Sequence, residues 1–175
     1  RWGRVLAASS LFALASGEVS AQNIDLVAQF DPLTGSDRYA DVWGDGHYAY
    51  VGAFNGTGVA IIDISTPSLP FLVTVYDPAP GERFKDVKVA SDVGYFASDN
   101  GGGLYIVDLS DPTDPSLLAQ VTSVDGGYND IHNVFVADGY LYQADSATET
   151  VKVFDISDAE NPFFVRNIVT PETSF

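Results

Sequence analysis

The chain has 175 residues, of which 46% are hydrophobic, 13% aromatic and 18% charged, a composition typical of globular rather than disordered proteins. Its 24 acidic and 8 basic residues give a net charge of −16, which argues against a nucleic-acid partner because a phosphate backbone requires a basic surface. The chain contains no cysteine, and this excludes disulfides and catalytic thiols.

The first 21 residues have the three parts of a secretory signal peptide. Two arginines lie in residues 1–4, an apolar stretch follows in residues 5–15, and Val19-Ser-Ala21 offers small residues for cleavage. The alternative, a membrane anchor, is disfavoured because 11 apolar residues are too few for a stable helix across a bilayer. We therefore predict a signal peptide over residues 1–21, no transmembrane span, and export to the extracellular space or the cell envelope.

Residues 22–38 are predicted to supply a single strand. The segment Leu26-Val-Ala-Gln-Phe-Asp31-Pro32 aligns with Leu72-Val-Thr-Val-Tyr-Asp77-Pro78, which is the last strand of the unit that follows. No first, second or third strand precedes it in the sequence. The segment is therefore interpreted as an orphan outer strand that awaits partners from elsewhere in the fold.

Three units follow, at residues 39–83, 84–130 and 131–171, and they share one pattern. The core Gly58-Val-Ala-Ile-Ile-Asp63-Ile-Ser65 recurs twice, with its aspartates 45 and 47 residues apart, and such a period indicates units that stack on copies of themselves. Four positions are shared by all three units: a tyrosine 13 residues before the aspartate, the aspartate itself, a serine two residues after it and a proline seven residues after it. They are Tyr50, Asp63, Ser65 and Pro70; Tyr95, Asp108, Ser110 and Pro115; and Tyr142, Asp155, Ser157 and Pro162.

Each unit contains four short apolar runs separated by turn residues, which predicts an all-β array. In the first unit the runs are residues 40–43, 48–52, 59–64 and 71–76. The third run is almost continuously apolar, as expected of an inner strand, and the fourth follows a proline and is more polar, as expected of an outer edge. The aspartate and serine between them are predicted to cap a turn by accepting backbone hydrogen bonds.

Four-stranded sheets repeated at this period are typical of the blades of a β-propeller. The second unit, Gly103-Leu-Tyr-Ile-Val-Asp-Leu-Ser-Asp-Pro-Thr-Asp-Pro115, resembles the LVIVD repeat of bacterial secreted and cell-surface propellers, and the resemblance extends over about residues 25–170. The third unit departs from the pattern, with Ala159 in place of a proline and Asn133 in place of an aspartate. The resemblance implies a propeller outside the cell, often in a protein with an anchor, and implies no reaction.

Residues 172–175 are interpreted as the start of a fourth, truncated blade, because Phe175 aligns with Phe84 at the start of the second unit. The predicted fold is thus an all-β propeller fragment of three four-stranded blades and the orphan outer strand. In a closed ring that strand would join three inner strands from the carboxyl end and remove the exposed seam.

Four polar residues are expected to open the innermost strands and to meet near one mouth of the central channel: Asp41, Asp86, His132 and Asn133. Carboxylate and amide oxygens with one imidazole suit a divalent cation, with calcium favoured. Alternatively, the inner-strand acids hydrogen-bond the backbone of the neighbouring blade. The sequence has no nucleophile motif, phosphate loop or paired histidines at metal-binding spacing.

The leading functional hypothesis is a non-catalytic secreted or cell-surface interaction module that binds protein or glycan at the cell exterior. The rival is a metal-dependent hydrolase or lactonase that uses the acids and His132 to hold a cation polarising a carbonyl or activating water. A third interpretation is a scaffold stabilised by calcium and without catalysis.

Overall fold

The computed structural model of the protein describes residues 25–33, 38–55, 58–145 and 147–169. Within these ranges the chain forms three four-stranded antiparallel sheets, each built from four strands consecutive in sequence. We call these sheets blades one, two and three. The strands are β1 (Tyr39–Asp45), β2 (Tyr48–Ala53), β3 (Val59–Asp63) and β4 (Phe71–Tyr76); β5 (Phe84–Ala90), β6 (Val93–Ser98), β7 (Leu104–Asp108) and β8 (Ser116–Val121); β9 (Asn133–Ala137), β10 (Tyr140–Ala144), β11 (Thr150–Asp155) and β12 (Phe163–Val169).

The predicted propeller blades are confirmed, and the strand boundaries in blade one agree to within about two residues. The third strands β3 and β7 are buried except at their final aspartate, as their continuous apolar sequences predict. The fourth strands β4 and β8 lie at the outer edge and are more exposed. Gly46, with a φ of 54°, makes the tight turn between β1 and β2.

The repeat extends to an irregularity in strand pairing. The register shifts once between the third and fourth strands of every blade, at residues 61/62, 106/107 and 153/154. Each shift lies just before the aspartate that ends the third strand. Such bulges increase the local twist of a sheet, so the three blades share the same distortion at the same place.

The blades pack face to face through two apolar clusters. The first joins Tyr50, Val59 and Ile61 of blade one to a face of blade two that includes Phe84 and Phe96. The second joins the opposite face of blade two to blade three, and its members include Tyr95, Leu104, Ile106, Val134 and Phe154. The first strands β1, β5 and β9 lie beside one another, so the blades are arranged radially about a common inner edge.

The repeated tyrosine of the second strand marks this stacking. Tyr50 is 3% exposed beneath blade two and Tyr95 is 4% exposed beneath blade three. Tyr142, at the same position of blade three, is only half-buried and lies against Phe135, with 6.2 Å between the ring centroids. The tyrosine is therefore buried where another blade covers it.

Residues 25–33, which are all but one of the described residues of the predicted outer strand, pair with no strand in the part of the chain that the structure describes. A strand requires backbone partners along its length. Leu33 nevertheless packs against Ala53, Ala60 and Ile62 of blade one, whereas Leu26 is 83% exposed. The predicted signal peptide at 1–21 and the predicted start of a fourth blade at 172–175 lie outside the described residues.

Helical structure in the described ranges is limited to one 3₁₀ turn, Ser123–Asp125, capped by Thr122. Within those same ranges, no helix has the length and apolar character needed to cross a membrane.

Candidate functional site

The aspartates that end the third strands cap turns, as the sequence predicts. The Oδ1 atoms of Asp63, Asp108 and Asp155 accept hydrogen bonds from the main-chain N–H of the serine two residues later, at 2.8, 2.9 and 2.9 Å. Hydrogen bonds from Ser65, Ser110 and Ser157 lower the pKa of these carboxyl groups. The most repeated acids of the chain therefore have a local structural role.

The structure brings the four inner-edge candidates together. Asp41, Asp86, His132 and Asn133 line one open pocket of about 320 Å³, together with Ala40 and Lys85. Asp41 lies in β1, Asp86 lies in β5, and Asn133 begins β9, so the pocket spans the inner strands of all three blades. The predicted convergence of these residues at the inner edge is thus observed.

The carboxylate of Asp86 bridges blades two and three. Its Oδ2 atom accepts a 2.6 Å hydrogen bond from the main-chain N–H of Val134 and a 3.3 Å bond from the side-chain amide of Asn133. Its Oδ1 atom accepts a hydrogen bond from the Lys88 ammonium. The side chain is 2% exposed, so these donors replace almost all of its hydration.

Asp41 makes the equivalent connection between blades one and two. Its Oδ2 atom accepts hydrogen bonds from the main-chain N–H of Val87 at 3.2 Å and from the Lys88 Nζ at 2.9 Å. Each inner acid therefore holds the backbone of the next blade, which is the alternative that the sequence left open. Because the blades are separate sheets, a side chain supplies the acceptor that the inner backbone needs.

Lys88 was missed by the sequence reasoning and is central to this cluster. Its ammonium contacts both inner carboxylates. It also lies 5.1 Å from the ring centroid of Trp43, and the face of an aromatic ring attracts a cation. The Trp43 indole in turn donates a 3.1 Å hydrogen bond to the carbonyl of Val89. The available signal was a lysine in the mostly apolar end of β5 in a strongly acidic chain.

The pKa values of the three ionisable groups reflect their mutual contact. Burial raises the pKa of Asp86 and the neighbouring carboxyl of Asp41 raises it further, whereas Lys88 and the Val134 N–H lower it without cancelling the rise. Burial also raises the pKa of Asp41, but hydrogen bonding with Asp86, Lys88 and the Val87 N–H outweighs it and lowers the pKa to about 2. Burial lowers the pKa of Lys88, yet the two carboxylates raise it overall. The ammonium is therefore held in its charged form between them.

A cation bound at this pocket would have to share its carboxylate ligands with Lys88. The ammonium of Lys88 already supplies positive charge to both carboxylates. In the described ranges, no group of three or more histidine, cysteine, aspartate or glutamate side chains is placed to hold a metal ion. His132 is exposed at the pocket, and its main-chain N–H donates to the carbonyl of Ala144 at 3.0 Å. A cation bound by Asp41, Asp86, His132 and Asn133 stays a prediction.

The profile of the LVIVD repeat matches the chain three times, over residues 38–78, 84–123 and 129–170. The chain belongs to the LVIVD repeat family. Each match covers the four strands of one blade, so the LVIVD repeat and the structural blade are the same unit.

Among solved structures, 33 chains match the fold. One is the crystal structure of the computationally designed Ika4 protein, which is 14% identical in sequence and has a TM-score of 0.60. The match covers 79% of this LVIVD chain and 76% of the Ika4 chain. At that identity the similarity shows the fold alone. No curated protein matches the sequence.

The third LVIVD repeat keeps the turn despite its sequence departures. Beside Ala159, the Oδ1 atom of Asp158 accepts a 3.0 Å hydrogen bond from the N–H of Glu160, as Asp111 accepts from Thr113 at 2.9 Å in the second repeat. The third repeat therefore forms this turn without the proline. Asn133 also retains a side-chain oxygen at the position of the inner acids.

Proposed function

We propose that this protein is an exported, non-catalytic interaction module that binds protein or glycan at the cell surface or in the envelope. Membership of the LVIVD repeat family and the blade architecture support a repeat scaffold that presents loops and inter-blade surfaces. The signal-like sequence of residues 1–21 supports export. The net charge of −16 supports a surface that disfavours polyanionic partners.

The observation that carries the non-catalytic part of the proposal is the environment of Asp86. A general base or metal ligand needs free lone pairs directed at a substrate or ion. In Asp86, both carboxylate oxygens accept hydrogen bonds, with Lys88, Asn133 and the Val134 backbone as donors. The acid at the centre of the inner edge is therefore engaged in joining blades.

The alternative is a metal-dependent hydrolase or lactonase with a cation at the inner edge. The observation that favours it is the shared pocket of about 320 Å³ lined by Asp41, Asp86, His132 and Asn133. The calcium-stabilised scaffold uses the same residues and predicts a higher Tm with calcium but not with magnesium.

The test combines a binding screen with metal analysis on the purified full chain. We expect capture of an envelope protein or a glycan that persists after chelation, without stoichiometric metal in the sample. Turnover of an ester or lactone that requires bound metal, with no binding partner recovered, would reject the proposal. A substitution of His132 separates the cases, because His132→Ala should leave binding intact and would abolish a metal-dependent reaction.

A further inference from the structure

Two grooves occur at equivalent places, one at each blade junction. The groove between blades one and two, of about 360 Å³, is lined by the β1–β2 hairpin, by Tyr50, and by Asp92, Leu109 and Ser110 of blade two. The groove between blades two and three, of about 450 Å³, is lined by Tyr95 together with residues of blade three, including Asp138, Ile156 and Ser157. The two grooves share the repeat positions of the tyrosine and the serine, whereas Asp92 and Asp138 come from different positions of the β5–β6 and β9–β10 turns.

Each groove contains a nearly buried polar group without a protein partner. The residues Tyr50 and Tyr95 are 3% and 4% exposed, and neither hydroxyl forms a hydrogen bond with any described residue. The hydroxyl of Tyr76 is also unpaired, but it is fully sealed within the protein, whereas those of Tyr50 and Tyr95 are not. Because each hydroxyl opens on a groove and makes no hydrogen bond to the described protein, its donor and acceptor capacity is available to a ligand bound there.

The composition of the grooves specifies the chemistry of that ligand. Both contain a tyrosine hydroxyl, a serine and an aspartate beside aliphatic side chains; neither is lined by lysine or arginine, and the first groove also contains His47. Carboxylates and hydroxyls exchange hydrogen bonds with alcohol groups, and the aliphatic walls suit the C–H face of a sugar ring. Acidic linings in a chain of net charge −16 disfavour anionic ligands.

We propose that the two grooves are equivalent binding sites for a neutral sugar, one at each junction between blades. The inference rests on the proposed function and narrows its partner to neutral glycans. Tyr50 and Tyr95 donate a hydrogen bond to the sugar, and Asp92 and Asp138 accept hydrogen bonds from its hydroxyl groups. Two sites held on one rigid scaffold give avidity for a glycan that carries repeated units.

The test measures calorimetric binding of methyl glycosides of glucose, galactose, mannose and fucose to the purified full chain and to tyrosine variants. We expect the wild type to bind at least one glycoside at about two sites, and Tyr50→Phe or Tyr95→Phe to keep one of them. The double variant should bind at least about tenfold more weakly, which is the loss expected for one hydrogen bond per site. Tyr76→Phe is the matched control, because its hydroxyl is unpaired and sealed, and it should bind like the wild type. Methyl glucuronoside should not bind.

The tyrosine variants should keep the stability of the wild type. Each substitution removes one hydroxyl without a protein partner, so the Tm of the variants should not fall, and lost binding would not reflect unfolding. Sugar binding that the double variant leaves unchanged, or that Tyr76→Phe weakens equally, would overturn the groove inference. So would the absence of binding to every glycoside. If an envelope protein is still captured, the proposed function survives that failure, whereas metal-dependent turnover without any partner rejects both.

Discussion

The Oδ2 atom of Asp86 in blade two accepts a 2.6 Å hydrogen bond from the main-chain N–H of Val134 in blade three. Asp41 repeats the relationship with the N–H of Val87 one blade earlier. In each case the acid belongs to the first strand of one blade and the donor to the first strand of the next. The inner edge is therefore connected by side chains whose spacing in sequence follows the repeat.

Substitution of Asp86 by alanine should destabilise the fold strongly. The change removes the acceptor of the buried Val134 N–H and one of the two carboxylates that contact the Lys88 ammonium, which keeps Asp41. A buried donor left without an acceptor costs about 1–3 kcal/mol. Urea denaturation would report the loss of unfolding free energy. Asp41→Ala is the matched control and should lose less, because the Asp41 side chain is 32% exposed and water can replace it. Equal losses in the two variants would show that burial at the second junction is unimportant.

Substitution of Lys88 by methionine should make stability depend on pH. Without the ammonium, the pKa of buried Asp86 in the folded protein rises further above its value in the unfolded chain. The variant is therefore most stable at low pH, where Asp86 is protonated, and its free energy of unfolding falls as the pH rises through the pKa of Asp86 in the folded protein. The variant should therefore differ less from the wild type at about pH 4 than at about pH 7 in thermal unfolding. Lys85→Met removes the same charge from the same strand but from Asp99 instead, and it should not show this dependence. A pH-independent loss in Lys88→Met would contradict the assigned role.

Alkaline conditions should weaken the junction of blades one and two. Burial raises the pKa of Tyr50 to about 12, and nearby Asp45 adds to the effect. Burial likewise raises the pKa of Tyr76 to about 12, with a smaller contribution from Tyr105. Because the pKa of each tyrosine is higher in the folded protein than in the unfolded chain, the free energy of unfolding should be unaffected below about pH 10 and should fall between about pH 10 and 12. The fall is at most about 1.4 kcal/mol per pH unit for each tyrosine.

Tyrosinate absorbance followed together with circular dichroism would test this expectation. The two buried tyrosines should ionise only as the circular dichroism signal of the folded protein is lost. Ionisation of every tyrosine at about pH 10 in the folded protein would contradict it.

Substitution of Gly103 by alanine should destabilise blade two. Gly103 has a φ of +71°, and an added Cβ would clash with the carbonyl oxygen of Val121 and lie 2.9 Å from that of Tyr128. Left-handed strain alone costs about 1–2 kcal/mol for an L-residue, and the clash adds to it. Gly44→Ala is the control, because its Cβ would meet nothing within 4 Å and its φ is ordinary. Chemical denaturation should separate the two variants, and matching stabilities would show that the local backbone adapts freely.

The local features of the fold could be predicted because their determinants are close together in sequence. Asp108 and Ser110 are two residues apart, so the turn that they form depends on little else. Strands such as β7 follow from a continuous apolar run. Residues 25–33 mark the limit of this reasoning, because a sequence like that of β4 forms a strand only beside another strand.

The inner-edge site was predicted only in part. The repeat register placed Asp41 and Asp86 near each other, but it could not show what their oxygens contact. That depends on how the blades pack, which brings Lys88 between the two carboxylates and the Val134 N–H onto Asp86. The grooves beside Tyr50 and Tyr95 were likewise missed, since each is completed by the following blade.

The sequence by itself determined the repeat, the four strands of each blade, the turn caps and the family resemblance, because periodic apolar patterns and short-range hydrogen bonds are written within single units. The tertiary structure alone decided how the inner acids are used and which tyrosine hydroxyls stay unpaired. The physical reason is distance along the chain: Asp86 and Val134 are 48 residues apart, and their contact exists only after two blades have packed face to face.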